Sequence, residues 1–365
     1  MKRIVFCIAA GMILAVSTSF AAAKPRVEVT FVLDSTGSMG GLIEGAKQKI
    51  WSIANSIVSQ KPTPEVRIGL LTYRDRGDEY VTRRFDLTDD IDAVFKNLQT
   101  ITADGGGDDP ESVNQALHEA VTGMSWTRDR KVLKIIFLVG DYPPHMDYTD
   151  DVKYPVTCRD AVTRGVIIDA VQCGEVSDTT AVWREIARLS EGSYVALGQS
   201  GNMTVVTTPF DTEIAQTSTE IGSTVVAYGE RESQEAARSK VAKAAEAPAA
   251  VAADRAAFNL ATGGKAIQGT GDLVADSAEG KVNVDRLKKD ELPVEMQKMT
   301  PAQRTMYIAK QKERREGLNH KLAELAQKRA VWLEQVQKRT ASTGGGDAFD
   351  TRVAEIISAQ AARVR

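Results

Sequence analysis

An apolar run near the start of the chain, Val27–Leu33, ends directly in a loop of acid, hydroxyl and glycine residues. Apolar runs with so little alternation are typical of parallel strands that helices cover on both faces. Asp34, Thr36 and Ser38 alternate along the loop, so three oxygen-bearing side chains can point to one place. Mg²⁺ prefers such ligands, and open α/β sheets bind ligands at the carboxyl ends of their strands. The segment therefore predicts an α/β fold with a cation site after the first strand.

The same alternation of apolar strands and amphipathic helices continues for about 200 residues, which predicts a doubly wound, mainly parallel sheet. Polar and apolar residues alternate in 80–85, so this segment is predicted to be an edge strand. The other strands are predicted at 27–33, 66–73, 131–139, 166–171 and 194–197. The helices are predicted at 42–59, 89–98, 109–124, 152–164, 180–189 and 204–228.

Two later loops also carry acids near the predicted strand ends. Asp108 and Asp109 stand between three glycines and Pro110, and Asp141 follows the strand that ends at Val139. An Asp before a Pro is a strong helix start, with Asp109 as N-cap and Pro110 in the first turn. A phosphate-binding loop would end in Gly-Lys-Ser or Gly-Lys-Thr, so the glycines do not indicate a nucleotide site.

These residues resemble the metal-ion-dependent adhesion site of von Willebrand factor type A domains. In that family the first loop reads Asp-x-Ser/Thr-x-Ser, the second loop supplies a Thr and the third an Asp. Asp34, Thr36 and Ser38 match the first loop, and Asp141 matches the third. The second loop departs from the pattern, because Asp109 stands where the family has Thr. The resemblance covers roughly residues 26–230.

The resemblance implies a Rossmann-like sheet that binds Mg²⁺, with Mn²⁺ or Ca²⁺ as alternatives. The expected ligands are Asp34, Thr36, Ser38, Asp109 and Asp141, and the neighbouring acid 108 could replace the one at 109. An open position on the ion is expected to accept an Asp or Glu of a partner protein. A third acid should hold the bare ion more firmly and attract that partner less. The segments 73–78 and 141–145 look like the bacterial branch of the family, and no pattern indicates an enzyme.

The first residues of the chain have the pattern of a secretory signal peptide. A basic start, an apolar core of about 13 residues and an Ala-rich end at 21–23 are typical of such a segment, and the core is short for a membrane span. We therefore expect an exported protein, periplasmic or secreted, without a later span. Export would leave Cys158 and Cys173, which could form one disulfide or remain two buried thiols.

Charge divides the chain into an acidic front and a basic back. Residues 24–229 carry 20 Lys and Arg against 30 Asp and Glu, whereas residues 230–365 carry 24 against 19. Nucleic acid is not an expected partner, because the basic residues lack interleaved aromatic residues. The basic face is expected to be solvated, or to attract acidic polymers of the cell envelope or the acidic front of its own chain.

The predicted domain organisation is a signal peptide at 1–23, a type A domain at 24–230, a helix-prone Ala/Gly-rich linker at 231–291 and a basic helical hairpin at 292–365. Thr300, Pro301 and Gln303 predict the start of a long helix with a capping box. A short apolar stripe on that helix favours an intramolecular hairpin over a free coiled coil. Its members are Leu318, Leu322, Leu325, Trp332 and Val336, with Val353, Ile357 and Val364 expected to close onto them from a last helix.

A protein-binding or scaffolding module is the function that this pattern favours. The alternative is a structural helical envelope protein whose front domain is a docking shell without a metal. Two smaller features were weighed with these. The tripeptide 76–78 reads Arg-Gly-Asp, but its place in a charged turn between strands favours a chance occurrence. His145 could lie just outside the metal ligands, or be a surface or packing residue.

Overall fold

The structure is a computed structural model that describes residues 24–107, 109–203, 205–341 and 349–364. The predicted signal peptide and Asp108 lie outside the described residues. The same holds for residues 342–348, which join the two last helices of the predicted hairpin region, and for the side chain of Val364.

One six-stranded sheet forms the centre of the molecule. Its strands are β1 Arg26–Asp34, β2 Glu65–Tyr73, β3 Thr82–Thr88, β4 Leu133–Gly140, β5 Val166–Cys173 and β6 Tyr194–Leu197. The strand order is β3-β2-β1-β4-β5-β6, and every neighbouring pair is parallel except β2 and β3. The prediction of a doubly wound, mainly parallel sheet is confirmed, including the edge strand.

Helices cover both faces of this sheet. The α-helices of the described ranges are α1 Gly40–Val58, α2 Ile91–Gln99, α3 Val113–Gly123, α4 Tyr154–Arg164, α5 Ser177–Leu189, α6 Asp211–Gly222, α7 Arg231–Glu246, α8 Ala249–Ala261, α9 Leu273–Ala278, α10 Pro301–Ala341 and α11 Phe349–Val364. One face packs against α1, α2, α8 and α11, and the other against α3, α4 and α5. Alternate residues of β1 serve the two faces: Phe31 and Leu33 lie in the first core, and Val32 lies in the second.

Helix α3 begins later than the sequence indicated. Its N-cap is Ser112, so the prediction of Asp109 as N-cap is wrong. The Glu111 amide instead donates a hydrogen bond to the Pro143 carbonyl oxygen at 3.0 Å. This pairing between two loops keeps residues before Ser112 out of the helix and at the carboxyl edge of the sheet.

The two cysteines remain free thiols and both are buried. Cys158 lies on α4 in the core of one sheet face, whereas Cys173 ends β5 and lies in the core of the other face. The disulfide considered from the sequence is therefore not formed, because the sheet separates the two side chains.

The segment predicted as a linker contributes to the main core. Val251 and Phe258 of α8 are buried against α1, and the Phe258 ring centroid lies 5.6 Å from that of Trp51. The Ala-rich composition of this region fits close packing of helices as well as it fits a linker. Residues 231–291 are therefore part of the folded body around the sheet.

In the described ranges the two last helices pack against different parts of the molecule, and the apolar residues described on each do not form the closed hairpin that the sequence predicted. Leu322 and Leu325 of α10 contact a cluster with Ile214 of α6, whereas Phe349 and Val353 of α11 are buried in the core beside β1. The apolar face of α11 covers the sheet face that the front helices leave open.

The start of α10 agrees with the sequence. The Thr300 amide donates to Gln303 Oε1 at 2.8 Å, and the Gln303 amide donates to Thr300 Oγ1 at 3.4 Å, which confirms the capping box. None of the helices in the described ranges is both long and apolar enough to cross a membrane.

A buried arginine interrupts the leucine stripe of α10. Arg329 is 7% exposed and donates at 2.7 Å to Asp211 of α6 and at 2.7 Å to Asp254 of α8. Arg315 pairs with Asp272 at 2.6 Å in the same manner. Two basic residues of this helix are therefore structural ion-pair partners of acids within the chain.

Candidate metal site at the carboxyl edge of the sheet

The first loop follows β1 directly and brings Asp34, Thr36 and Ser38 together. Asp34 is fully buried, and its Oδ1 accepts hydrogen bonds from the Thr36 amide at 2.9 Å and the Thr36 hydroxyl at 2.6 Å. The hydroxyl oxygens of Thr36 and Ser38 are 3.3 Å apart. Because Thr36 donates its proton to Asp34, its lone pairs remain available to a cation. The alternation seen in the sequence therefore places three oxygens side by side.

Asp141 follows β4, the strand that pairs with β1, and its carboxylate interacts with that of Asp34. Asp141 Oδ2 accepts a hydrogen bond from Gln199 Nε2 at 2.7 Å. Asp34 Oδ2 and Asp141 Oδ1 are buried and have no hydrogen-bond partner among the described residues. Gly140 keeps this place open, since a Cβ there would lie 3.2 Å from Asp34 Oδ2 and collide with the Tyr73 hydroxyl. Two buried carboxylate oxygens of the candidate site are therefore left without a hydrogen-bond donor among the described residues.

The glycine loop packs closely against the first loop. The Gly37 amide donates to the Gly105 carbonyl oxygen at 3.2 Å. Gly106 has a φ of +75°, and a Cβ at this position would lie 2.8 Å from Thr36 Cβ and 2.9 Å from Glu111 Oε1. A left-handed conformation and such close neighbours both favour glycine here. The glycine loop therefore brings Glu111, which follows it, into contact with the candidate site.

Glu111 is the acid that the second loop brings to the site. Its side chain belongs to a residue that is 2% exposed, and Oε2 has no hydrogen-bond partner in the described part of the chain. The backbone is held on both sides, because the Glu111 amide donates to Pro143 and the His145 amide donates to the Glu111 carbonyl, each at 3.0 Å. The third loop thus fixes the position of this carboxyl group.

Burial and mutual repulsion raise the pKa values of these acids. Burial, followed by the charge of Asp141, raises the pKa of Asp34 from 3.8 to about 7. Burial, followed by the charges of Asp34, Asp75 and Asp141, raises the pKa of Glu111 from 4.5 to about 9. Carboxyl groups in such a place hold a proton near neutral pH or need a cation beside them.

Asp109 has a different environment from that of the buried acids. The residue is exposed, and its side chain interacts with the Tyr142 hydroxyl, where its charge raises the pKa of Tyr142. Thr102, which precedes the glycines, accepts hydrogen bonds from Arg74 through its carbonyl oxygen at 2.8 Å and its hydroxyl at 3.5 Å. Of the ligands expected from the sequence, the structure therefore joins Asp34, Thr36, Ser38 and Asp141, and places Glu111 rather than Asp109 beside them.

Asp75 is a further buried acid, and its hydrogen bonds hold the loops around the candidate site. Asp75 is 2% exposed and accepts hydrogen bonds from Ser112 Oγ at 2.7 Å and Tyr148 Oη at 2.9 Å. His145 stacks on Tyr148 with ring centroids 4.1 Å apart, and its Nε2 lies 3.4 Å from Asp75 Oδ2. His145 therefore contacts the supporting acid Asp75, and its other ring nitrogen contacts Asp147 at 2.8 Å.

The Arg-Gly-Asp tripeptide is engaged within these loops. The Arg76 guanidinium lies 4.0 Å from the Tyr148 ring centroid and pairs with Asp150 and Asp151 at 2.9 Å each. Asp78 Oδ2 accepts hydrogen bonds from two backbone amides at 3.0 Å. The tripeptide acts as a turn that packs against neighbouring loops, as the simpler interpretation of the sequence expected.

The residues at this edge fit a small divalent cation. Within the described ranges, no three histidine, cysteine or acidic side chains are arranged to hold a metal ion by themselves. A Mg²⁺ site does not require that, because hydroxyl oxygens and water molecules can complete an octahedral shell around one or two carboxylates. The unpartnered oxygens of Asp34 and Asp141, with the hydroxyls of Thr36 and Ser38, supply that kind of donor set.

The chain thus has a mixed α/β sheet with acids and hydroxyls at the carboxyl ends of its central strands. Residues 28–197 match the family model described as von Willebrand factor A domain, and this part of the chain has a VWA-like fold. The chain is 37% identical over 100 residues to human von Willebrand factor A domain-containing protein 7. The aligned segment covers 27% of this chain and 10% of that protein. The chain thus spans about a tenth of the length of the curated relatives it matches first.

Solved structures resemble part of this chain at low similarity. The SpRpn10 VWA domain is 16% identical with a TM-score of 0.37, covering 48% of this chain and 89% of that one. Proximal thread matrix protein 1 from the mussel byssus, in a structure with a zinc-occupied MIDAS motif, is 16% identical with a TM-score of 0.36. That match covers 48% of this chain and 42% of the mussel protein.

Sequence reasoning missed two residues of the site, Glu111 and Gln199. The pair Asp109 and Pro110 was interpreted as a helix start, which would place Glu111 in the first turn of that helix. An acid within four residues of a glycine-rich loop is a signal that could have identified it. Gln199 lies beyond β6, and no local pattern distinguishes it from other exposed glutamines.

Proposed function

We propose that this chain is a non-enzymatic binding protein whose VWA domain binds Mg²⁺, with Mn²⁺ or Ca²⁺ as alternatives. Asp34, Thr36, Ser38 and Asp141 hold the ion, and Glu111 adds negative charge beside it. When bound, the cation supplies an open coordination position for a carboxylate of a partner protein. The amino-terminal signal pattern supports an exported protein, so the partner belongs to the periplasm or the cell exterior.

One observation carries the proposal. Asp34 Oδ2 and Asp141 Oδ1 are buried without a hydrogen-bond partner among the described residues. A buried polar group left unsatisfied costs about 1–3 kcal/mol, and two adjacent carboxylates also repel one another. A divalent cation removes both costs, which explains why the chain keeps these oxygens in place.

The residues have separate tasks in this proposal. Asp34 and Asp141 would provide charge, whereas Thr36 and Ser38 would provide neutral oxygens, and the Thr36 hydroxyl already donates its proton to Asp34. Gln199 orients Asp141 through the bond to Oδ2. Gly140 and Gly106 keep side chains out of the place where the ion and the partner carboxylate meet.

Calorimetric titration of MgCl₂ into the chelator-treated full chain tests the cation site. Asp141→Asn removes one charged ligand and is expected to weaken binding by at least about tenfold. Asp285→Asn, at an exposed acid far along the chain, is the matched control and should bind as the unchanged protein does. No heat of binding in the unchanged protein, or equal affinity in both variants, would refute the site.

Capture from the cell envelope tests the partner. The unchanged protein should retain a partner in Mg²⁺ and release it in EDTA, whereas the Asp141→Asn variant should not retain it. Amidation of carboxyl groups on the envelope proteins before capture should abolish retention. A partner that still binds after amidation would show that recognition does not use its acidic groups.

A further inference from the structure

A cavity of about 330 Å³ lies between the front of the chain and its later helices. Its walls come from α1 and α2 on one side and from α7 and α8 on the other. None of its lining residues belongs to the candidate metal site. Cavities of about 300–1,000 Å³ are the size at which proteins bind small molecules. The cavity is therefore a separate place whose ligand chemistry can be considered from its walls.

The floor of the cavity is aromatic and aliphatic. Trp51 of α1 and Phe95 of α2 both line it, with ring centroids 6.1 Å apart and planes tilted by 46°. Val251 of α8 lines the same space. Trp51 is fully buried, and its indole N–H has no acceptor within the described residues. An apolar body with a polar end would suit such walls.

The acids in the wall are neutralised by cations of the later helices. Asp92 accepts hydrogen bonds from Arg255 Nε at 2.7 Å and Nη2 at 2.9 Å. Asp90 pairs with Lys240, whose amino group also donates to the Gln268 carbonyl oxygen at 2.9 Å. Each wall acid thus has its own positive partner.

Two further lysines leave the cavity with an excess of positive charge. Lys96 of α2 and Lys243 of α7 line it, both are exposed, and neither has an ion pair or hydrogen bond among the residues that the structure describes. Their amino groups come from opposite sides, one from the front helices and one from the later helices. The charge favours an anion at the mouth, above the apolar floor.

We propose that this cavity binds a small organic carboxylate with an aliphatic or aromatic body. The body packs against Phe95 above the buried Trp51, and the carboxylate faces Lys96 and Lys243. A hydrated gap between packed helices is the alternative. That alternative accounts for the volume, but it gives no preference for an apolar anion over an apolar alcohol.

Ligand binding should stabilise the fold, because the cavity exists only where the front helices and α7 and α8 are packed together. A ligand that binds only the folded state raises its stability in proportion to the logarithm of ligand concentration over Kd. Sodium octanoate is a suitable probe below its micelle concentration. Octan-1-ol has the same chain without the charge, and sodium acetate has the charge without the chain.

We expect octanoate to raise the midpoint of thermal unfolding of the full chain and to change tryptophan fluorescence in a saturable manner. Octan-1-ol and acetate should each bind at least about tenfold more weakly. The double variant Lys96→Met, Lys243→Met should also lose about tenfold in octanoate affinity. The matched control is Lys310→Met, Lys328→Met, which removes two exposed lysines of α10 and should bind octanoate normally.

Ala236 of α7 lines the cavity and is exposed, so Ala236→Phe can fill the space from its rim without disturbing a core position. This variant should bind octanoate at least about tenfold more weakly. The proposal is overturned if octanoate gives no saturable change. It is equally overturned if octan-1-ol binds as tightly as octanoate, or if the cavity variants bind octanoate as well as the unchanged protein does.

Discussion

Gln199 Nε2 donates a hydrogen bond of 2.7 Å to Asp141 Oδ2, and this bond decides which oxygen of the carboxylate remains unpaired. Asp141 begins the loop after β4, whereas Gln199 follows β6, two strands away in the sheet. Gln199 also contacts the Ser38 carbonyl oxygen at 3.4 Å. One glutamine beyond the last strand therefore links the first and third loops of the candidate site.

Replacing Gln199 by Leu should destabilise the protein in EDTA. The buried carboxylate of Asp141 would lose its one described side-chain donor, which costs about 1 kcal/mol because Gln199 itself is exposed. Urea unfolding in EDTA measures this loss, and Gln335→Leu on the exposed face of α10 is the matched control. Equal midpoints for the two variants would show that the bond contributes nothing to stability.

The two acids of the second loop should behave differently when each is replaced. Asp109→Thr is expected to change Mg²⁺ affinity by less than about twofold, because its side chain is exposed and interacts with Tyr142. Glu111→Gln should weaken Mg²⁺ binding by about tenfold, because the Glu111 carboxyl group can lose its proton beside the bound ion, whereas Gln cannot ionise. Calorimetric titration of both variants separates these expectations. A large loss in Asp109→Thr alone would place that acid on the ion.

The stability of the cation-free protein should fall as pH rises from about 4 to about 7. The pKa of Asp34 is raised to about 7 from 3.8, so in this window the folded state binds a proton that the unfolded state has released. The slope is at most about 1.4 kcal/mol per pH unit for each such proton. Glu111, with its pKa raised to about 9 from 4.5, extends the fall above neutral pH.

Urea unfolding in EDTA at a series of pH values measures this dependence. Asp34→Asn removes the titrating group, so its stability should vary less with pH and should exceed that of the unchanged protein at pH values above about 7. The same variant should no longer bind Mg²⁺. An identical pH dependence in both proteins would contradict the raised pKa of Asp34.

Arg329→Met should destabilise the protein strongly. The change leaves Asp211 and Asp254 without their shared cation, and removing one partner of a buried ion pair costs about 3–5 kcal/mol. Thermal or urea unfolding measures the loss, and Lys328→Met at the exposed neighbouring position is the control. Adding Asp254→Asn should recover part of the loss, and no recovery would indicate that packing rather than charge is responsible.

Local sequence determined most of the sheet and three of its loops. The strand at 27–33, the edge strand and the acids 34 and 141 were all identified, because apolar runs and the residues that end them are adjacent in the chain. The capping box of Thr300 and Gln303 was found for the same reason. The start of α3 was misplaced, because pairing between Glu111 and the loop at 143–145 outweighs the local preference of Asp109 and Pro110 for a helix start.

The sequence by itself thus determined the order of strands and helices and the oxygens after β1 and β4, since these depend on neighbours in the chain. Only the tertiary structure decided that Glu111, rather than Asp109, is the acid of the second loop that lies beside the site. It alone also decided that Gln199 orients Asp141. It also decided that α8 and α11 cover the sheet and that Cys158 and Cys173 lie on opposite faces. These outcomes depend on packing between segments far apart in sequence, where burial and electrostatic pairing outweigh local preference.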